Sequence, residues 1–292
     1  MAAPYRMMGI VNVTPDSFSD GGMYLDAEAA IAHGLLLAGE GADILDVGGE
    51  STRPGAEPVG LEEELRRVLP VIEGLAQEAR SHPAALQLSV DTSKAGVARA
   101  ALAAGASLIN DVSALRADPQ MAEVVAGSGA DCCLMHMRGD PRTMQQDPRY
   151  GDVVEEVRAF LRERLEFAVA AGIARERIVL DPGIGFGKTD AHNLELLRRL
   201  DELASIGQPL LIGTSRKGFL GRIRAHAAGA GEPGGPSARL AGTIASNVLA
   251  YERGASVFRV HEVAPVADAL AVAAATLGAT WTARNAGTRA RT

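Results

Sequence analysis

The sequence predicts a single α/β domain, a (β/α)8 TIM barrel, on three observations. Short apolar runs alternate with helical patterns along the whole chain, and a βαβ alternation requires a parallel sheet. The runs are apolar throughout, as strands are when both faces of their sheet are covered. Almost every run ends in a polar residue, and a barrel strand delivers one residue to the rim at its C-terminal end. The run 7–11 ends in Asn12, 44–45 in Asp46, 86–90 in Asp91, and 108–109 in Asn110 and Asp111. The run 132–135 ends in His136, 178–180 in Asp181, 210–214 in Ser215-Arg216-Lys217, and 257–260 in His261. A packed core has no use for carboxylates, amides and imidazoles at that phase. An active site at one mouth of a barrel does.

The first helix reads Ile31, Leu35 and Ala38, with Asp26 as a candidate cap. The second reads Leu61, Leu65, Val68, Leu69, Ile72, Leu75 and Ala76, and Pro70 inside that stripe predicts a kink. The third runs over 94–104 and stops at Gly105, and the fourth covers 119–126. The fifth reads Val153, Val157, Phe160, Leu161, Leu165 and Ala168, closed by Gly172. The sixth begins near His192 and ends before Gly207, and the last two lie over 237–251 and 264–277. Eight such units in 292 residues favour a closed barrel over an open doubly wound sheet. With no dividing linker, residues 1–282 are expected to form one domain. The Gly/Ala/Pro stretch 226–236 is expected to be mobile, and 283–292 to be a disordered tail.

At 47% hydrophobic and 22% charged the composition is that of an ordinary soluble chain. A net charge of −7 argues against wholesale binding of nucleic acid or an anionic membrane. An anionic substrate can still be held by a local cluster of cations. The only cysteines, Cys132 and Cys133, are adjacent in an apolar run and read as buried thiols of a reducing compartment. No run reaches the length of a membrane span and no signal-peptide core precedes the first strand, so the cytoplasm is the expected location.

Two connections are richer than a plain link requires. The first, 12–22, sets hydroxyls and two carboxylates around Phe18, which suits either a lid that stacks on an aromatic substrate or a long surface turn with the ring pinned inward. The second, 48–56, joins glycines that permit close backbone approach to the planar cation of Arg53 and the stiff Pro54. Asp91 and Asp181 end apolar strands, where a carboxylate loses water and needs donors to stay ionised. Each could cap the next helix or pair with Lys94 or Lys188. Together with Asn110 they could instead present acceptors and an amide to the flat, donor-rich edge of a 2-amino-4-oxo heterocycle. Arg259 and His261 are two apart on a strand, so they point the same way and suggest an oxyanion or phosphate site. There is no phosphate loop, no H-E-x-x-H zinc site and no nucleophile elbow. Covalent catalysis therefore has no obvious candidate.

The motifs resemble those of the dihydropteroate synthases, pterin-binding enzymes of folate biosynthesis. The resemblance runs from about Met8 to Ala274 and rests on segments 9–22, 46–55, 89–92, 109–113, 135–139, 181–188, 215–217 and 259–261 in that order. It implies a barrel that joins 6-hydroxymethyl-7,8-dihydropterin diphosphate to 4-aminobenzoate and releases pyrophosphate with Mg2+ assistance, usually as a homodimer. It further implies that Asp91, Asn110, Asp181 and Lys217 hold the pterin, with Met135 lining its pocket. Asn12, Arg259 and His261 hold the diphosphate, and Asn12 also touches the metal. Phe18, Thr52, Arg53, Pro54, Phe186 and Lys217 border the aminobenzoate, and Asp20 belongs to the first loop that orders the site. The catalytic set so implied is Asp91, Asp181, Lys217, Phe18 and Asp20, acting through a carbocation-like, SN1-type transfer. Aminobenzoate isosteres of the sulfonamide class are expected to compete. Gly218 departs from the pattern, since many relatives carry a polar or basic residue there. The alternatives are a methyltetrahydrofolate-dependent methyltransferase, which needs no diphosphate site, and a non-catalytic pterin-binding paralogue.

Overall fold

The computed structural model describes residues 5–14, 23–51, 55–79, 86–140, 142–229 and 232–278, with the side chains of 23–26 left aside. Among these residues the strands are β1 (Arg6–Asn12), β2 (Ile44–Gly48), β3 (Gln87–Asp91), β4 (Leu108–Asp111), β5 (Asp131–Met135), β6 (Ile178–Asp181), β7 (Leu211–Ile212) and β8 (Val257–Val260). All pair in parallel, in the order β6-β5-β4-β3-β2-β1-β8-β7. The two ends meet through a single parallel bridge, Leu180 to Leu210, and a 2.9 Å bond from Leu180 N to Pro209 O, which closes the (β/α)8 barrel.

The helices are α1 (Met23–Gly39), α2 (Leu61–Ala79), α3 (Ala95–Ala104), α4 (Met121–Ser128), α5 (Val153–Ala170), α6 (Asp190–Arg198), α7 (Leu200–Ala204), α8 (Gly218–Ala227), α9 (Leu240–Glu252) and α10 (Val263–Leu277). The helical stripe of α2 buries Val68, Val71, Ile72 and Leu75, and the helix runs through Pro70 without interruption. Asp26 is not a cap, because α1 begins at Met23. The sixth helical pattern is two helices, broken at Arg199, whose backbone leaves the helical region (φ −110°, ψ 31°). Its guanidinium is taken by Asp152, Glu195 and Glu202 at the break. Helix α8 is an element the apolar pattern did not announce. The expected tail 283–292 and part of 226–236 lie outside the described residues.

The alternation of side chains along each strand divides the interior from the outer shell. Met8, Ile44, Leu108, Cys133, Leu211 and Val257, with Val179, form an apolar plug inside the barrel, one residue from each of seven strands. The opposite-facing Leu45, Val90, Ile109, Leu134, Leu180, Ile212 and Phe258 join the larger core beneath the helices. Below the plug, Arg6 Nη2 donates to Gln87 Oε1 (2.6 Å), and Gln87 Nε2 to Asp131 Oδ2 (2.8 Å), which satisfies the polar groups of the N-terminal mouth. Above the plug the barrel turns polar at Asn12, Asp46, Asp91, Asn110, Asp181 and Arg259, while β5 presents Met135.

Candidate active site

Asp46 is the first polar residue above the plug and is fully buried. The sequence placed it at a strand end, but β2 continues two residues further to Gly48. Its carboxylate accepts from Ser89 Oγ (2.6 Å), Asn110 Nδ2 (2.9 Å) and Arg259 Nε (2.6 Å), so side chains from three other strands converge on it. Arg259 Nη2 also donates to Asp91 Oδ2 (2.8 Å). A buried charge needs such partners to remain charged. Desolvation would lower the Arg259 guanidinium, but Asp46 and Asp91 outweigh it and hold it above its usual range.

Asp91 and Asp181 stand one level higher. Burial raises the Asp91 carboxyl to about 7 against the pull of Arg259, with Asp46, Glu64 and Asp111 adding to the rise. Burial also raises Asp181 to about 6, although it accepts from Gly183 N at 2.7 Å and feels Lys217 and Lys188. Neither acid caps the next helix or binds the lysine that follows it in the sequence. The N-terminal Ala95 N–H of α3 goes to Asp118, and Lys94 is held by Glu50 and Glu64. Asp111, by contrast, ties down the turn that follows β4, accepting from Ser113 N and Leu115 N at 2.8 Å each.

The loop after β6 is set by glycines and by Lys188. Gly183, Gly185 and Gly187 all have positive φ (65°, 84° and 62°), and a Cβ on Gly183 would lie 2.0 Å from His136 O. Lys188 is buried at 2% exposure. Its Nζ reaches Gly183 O (2.9 Å), Phe186 O (3.0 Å) and His136 Nδ1 (2.9 Å), three acceptors for three N–H bonds. Burial lowers Lys188 to about 7, and burial together with Lys188 lowers His136 to about 2, so His136 is a neutral acceptor. The loop thus fixed places Phe186 with Lys217 Nζ 4.0 Å from its ring centre. Desolvation lowers Lys217 to about 8, with the nearby Arg259 adding to that and Asp181 and Asp91 opposing it.

At the end of β7 the Ser215-Arg216-Lys217 turn holds Arg216 at φ 58°, a strained conformation for a residue with a side chain. The Glu262 carboxylate on Arg216 Nε (2.7 Å) and Thr243 Oγ1 on Arg216 N (3.2 Å) keep it there. Ser215 Oγ lies 2.9 Å from His261 Nδ1 and accepts from His261 N at 3.2 Å.

These groups share one cavity of about 970 Å³ at the C-terminal mouth of the barrel. It is lined by Asn12, Asp91, Asn110, Met135, Asp181, Phe186, Lys217, Arg259 and His261, all anticipated from the sequence. One wall is apolar, where Val112 and Phe186 pack on the Met135–Met137–Met144 cluster. The other anticipated residues, Phe18, Asp20, Thr52, Arg53 and Pro54, lie outside the described residues. Asp46 and Lys188 were not anticipated as site residues.

A profile of the pterin binding enzyme family matches residues 8–261. The chain belongs to the pterin-binding enzyme family. Within this family it is similar to the dihydropteroate synthase of Escherichia coli (strain K12), with 46% identity over 94% of this chain and 92% of that one. A Xanthomonas albilineans dihydropteroate synthase structure with 4-aminobenzoic acid superimposes with TM-score 0.85 at 51% identity, covering 94% of both chains. A Yersinia pestis dihydropteroate synthase structure in a sulfonamide drug complex gives TM-score 0.85 at 44% identity, covering 94% of this chain and 95% of that one. A pterin-binding enzyme needs a flat apolar wall and a row of polar groups for a heterocycle's edge, and the methionine cluster beside Asp91, Asn110 and Asp181 offers both.

Proposed function

We propose that the chain joins 6-hydroxymethyl-7,8-dihydropterin diphosphate to 4-aminobenzoate, giving 7,8-dihydropteroate and pyrophosphate, as a dihydropteroate synthase of folate biosynthesis. One observation carries the reading. Asp91, Asn110 and Asp181, rising from three different strands, line the same cavity as the cations Lys217 and Arg259. The two carboxylates suit the amino and ring N–H donors of a pterin, as they suit a guanidinium. Asn110 and Lys217 add donors for the ring's acceptors, and Met135 supports its face. The relatives are dihydropteroate synthases, so a methyltetrahydrofolate-dependent methyltransferase is not favoured.

The diphosphate falls to the other side of the cavity. Ser215 Oγ, 2.9 Å from His261 Nδ1, orients that imidazole on the cavity wall, where it faces a phosphate oxygen. Arg259 has its Nε and Nη2 on Asp46 and Asp91, which leaves Nη1 for the same anion. In the reaction the C–O bond at the pterin methylene breaks and its electron pair leaves with pyrophosphate. The electron-rich dihydropterin ring spreads the positive charge, and Asp91 and Asp181 favour it electrostatically. The aminobenzoate nitrogen then forms the C–N bond and releases its proton to water at the mouth. No enzyme nucleophile is required, and Phe18, Asp20, Thr52, Arg53 and Pro54 are assigned to the aminobenzoate.

The donor set fits Mg2+ of the kind carried on phosphates. Among the described residues no group of three or more His, Cys, Asp and Glu could hold a metal ion by itself. Mg2+ commonly rests on substrate phosphates with only one or two protein oxygens, and Asn12 supplies one on the cavity wall. When bound, the ion neutralises charge gathering on the departing pyrophosphate.

Incubating the protein with both substrates and Mg2+ must yield dihydropteroate and equimolar pyrophosphate. Binding of the pterin without turnover would instead support the non-catalytic paralogue. A sulfonamide should inhibit competitively against aminobenzoate, and an unchanged KM under inhibition rejects that part. The buried thiols of Cys132 and Cys133 suit the cytoplasm. Exposed Leu194, Leu249 and Val272 on the outer helices suit a homodimer, which sedimentation tests.

A further inference from the structure

The residue after Lys217 is Gly218, the first residue of α8. A Cβ built there would meet Arg222 Nη1 at 3.1 Å, with no backbone closer. The Arg222 guanidinium therefore rests over the start of its own helix, one turn back, in the space next to position 218, and a side chain there would press it aside by a few tenths of an ångström. That guanidinium is held from the other side. Asp190, at the start of α6, takes its Nε and Nη2 edge at 2.6 Å each. The fork geometry of arginine then directs the remaining Nη1 edge toward Gly218. Gly218, Arg222 and Asp190 all line the cavity, beyond the Phe186–Lys217 pair.

Lys217, against Phe186, is assigned to the pterin, and the other described cavity cations are largely taken up by protein partners. Arg259 is held by Asp46 and Asp91, Lys188 by carbonyls and His136, and Arg216 by Glu262. Arg239 donates to the carbonyls of Arg216 and Gly234. Among the described arginines, Arg222 combines a rim position, about half exposure and an outer edge aimed into the space a side chain at 218 would fill.

We infer that Arg222 is a specificity-determining residue, which binds the carboxylate of the aminobenzoate through Nη1 and takes the place of a polar side chain at position 218. The inference rests on the proposed synthase reading. In that reading the acceptor's amine points inward to the pterin methylene. Its carboxylate, on the far side of the ring, therefore points outward past Phe186 and Lys217 to this rim. Asp190 keeps the guanidinium oriented before the acceptor arrives, so little side-chain entropy is lost when it binds. Glutamine at 222 would retain hydrogen bonding but not the charge or the fork.

The test compares 4-aminobenzoate with its neutral isostere 4-aminobenzamide at saturating pterin diphosphate and Mg2+. Arg222→Gln is expected to raise KM for 4-aminobenzoate about three- to tenfold, the range for a partly exposed charged contact, with kcat changed less than about twofold. The KM for 4-aminobenzamide should not move. Adding Gly218→Ser to Arg222→Gln should recover part of the loss, because a hydroxyl then occupies the same space. Gly218→Ser alone should lower the acid-to-amide preference by displacing the guanidinium. An equal KM change for both acceptors, or none for either, overturns the role of Arg222 while leaving the synthase intact. Failure of the unsubstituted protein to make dihydropteroate overturns both.

Discussion

Arg259 Nε stands 2.6 Å from Asp46 Oδ2, tying β8 to β2 across the inside of the barrel just above its apolar plug. The same carboxylate holds Ser89 and Asn110, and the same guanidinium holds Asp91. One buried pair thus orients two of the residues assigned to the pterin edge.

Replacing Asp46 with alanine takes one of its two carboxylates from the largely buried Arg259 and removes the acceptor of two polar side chains. The expected loss of stability is about 3–5 kcal/mol, the range for breaking one half of a buried ion pair. Urea unfolding followed by circular dichroism measures it. A loss under about 1 kcal/mol would mean that water enters and replaces the carboxylate.

Asp181→Asn and Lys217→Ala should each weaken pterin diphosphate binding by about tenfold or more, from one lost charged hydrogen bond. Calorimetric titration reads this directly, and far-ultraviolet spectra check that the fold persists. Removing Phe18 should spare pterin binding and raise the aminobenzoate KM. Equal damage to both substrates in the Phe18 variant contradicts the division of labour between barrel and loop.

Burial lifts Asp91 to about 7 and Asp181 to about 6, so near pH 5 both are largely protonated in the free protein. A donor-rich pterin edge prefers the carboxylates, so binding expels protons. Affinity should therefore rise with pH up to about 6–7 and then level off. Folding runs the other way. The unfolded acids titrate near 4, so between about pH 4 and 7 the native state holds more protons than the unfolded one, and the stability from these groups declines as pH increases. Titrations in buffers of differing ionisation enthalpy count the protons, and an affinity flat between about pH 5 and 7.5 would contradict the assignment.

Lys188→Met keeps the length of the side chain and removes three donors from buried acceptors. A destabilisation of about 1–3 kcal/mol is expected from the unsatisfied carbonyls. The aminobenzoate KM should also rise, because Phe186 loses its anchor. Unchanged thermal unfolding and kinetics would show that the glycine turns alone fix the loop.

The strand ends were legible because a polar residue closing an apolar run is a local signal. Asp91, Asn110 and Asp181 could be read from their own neighbours. Asp46 looked the same locally, and only its register with Ile10 and Ser89 sets it inside the wall rather than at the rim. Lys188 was weighed only as a partner for Asp181, because nothing near it in the sequence reveals that His136, 52 residues away, stands beside its ammonium. Helix α8 escaped because it opens on glycine and buries chiefly Phe219, Leu220, Gly221 and Ala225, too few and too small for a visible stripe. The single helix expected over 192–206 is divided at Arg199, whose guanidinium meets not only its sequence neighbours Glu195 and Glu202 but also Asp152, 47 residues away and invisible to a local pattern.

The cylinder is joined by one rung, Leu180 to Leu210, and Asp181 and Lys217 rise on opposite sides of that join. Any ligand gripped by both spans the gap from above, adding a strut where the backbone supplies fewest. Occupancy of the mouth and integrity of the wall are in this way the same event, and amide protons of β6 and β7 should exchange more slowly once the pocket is filled.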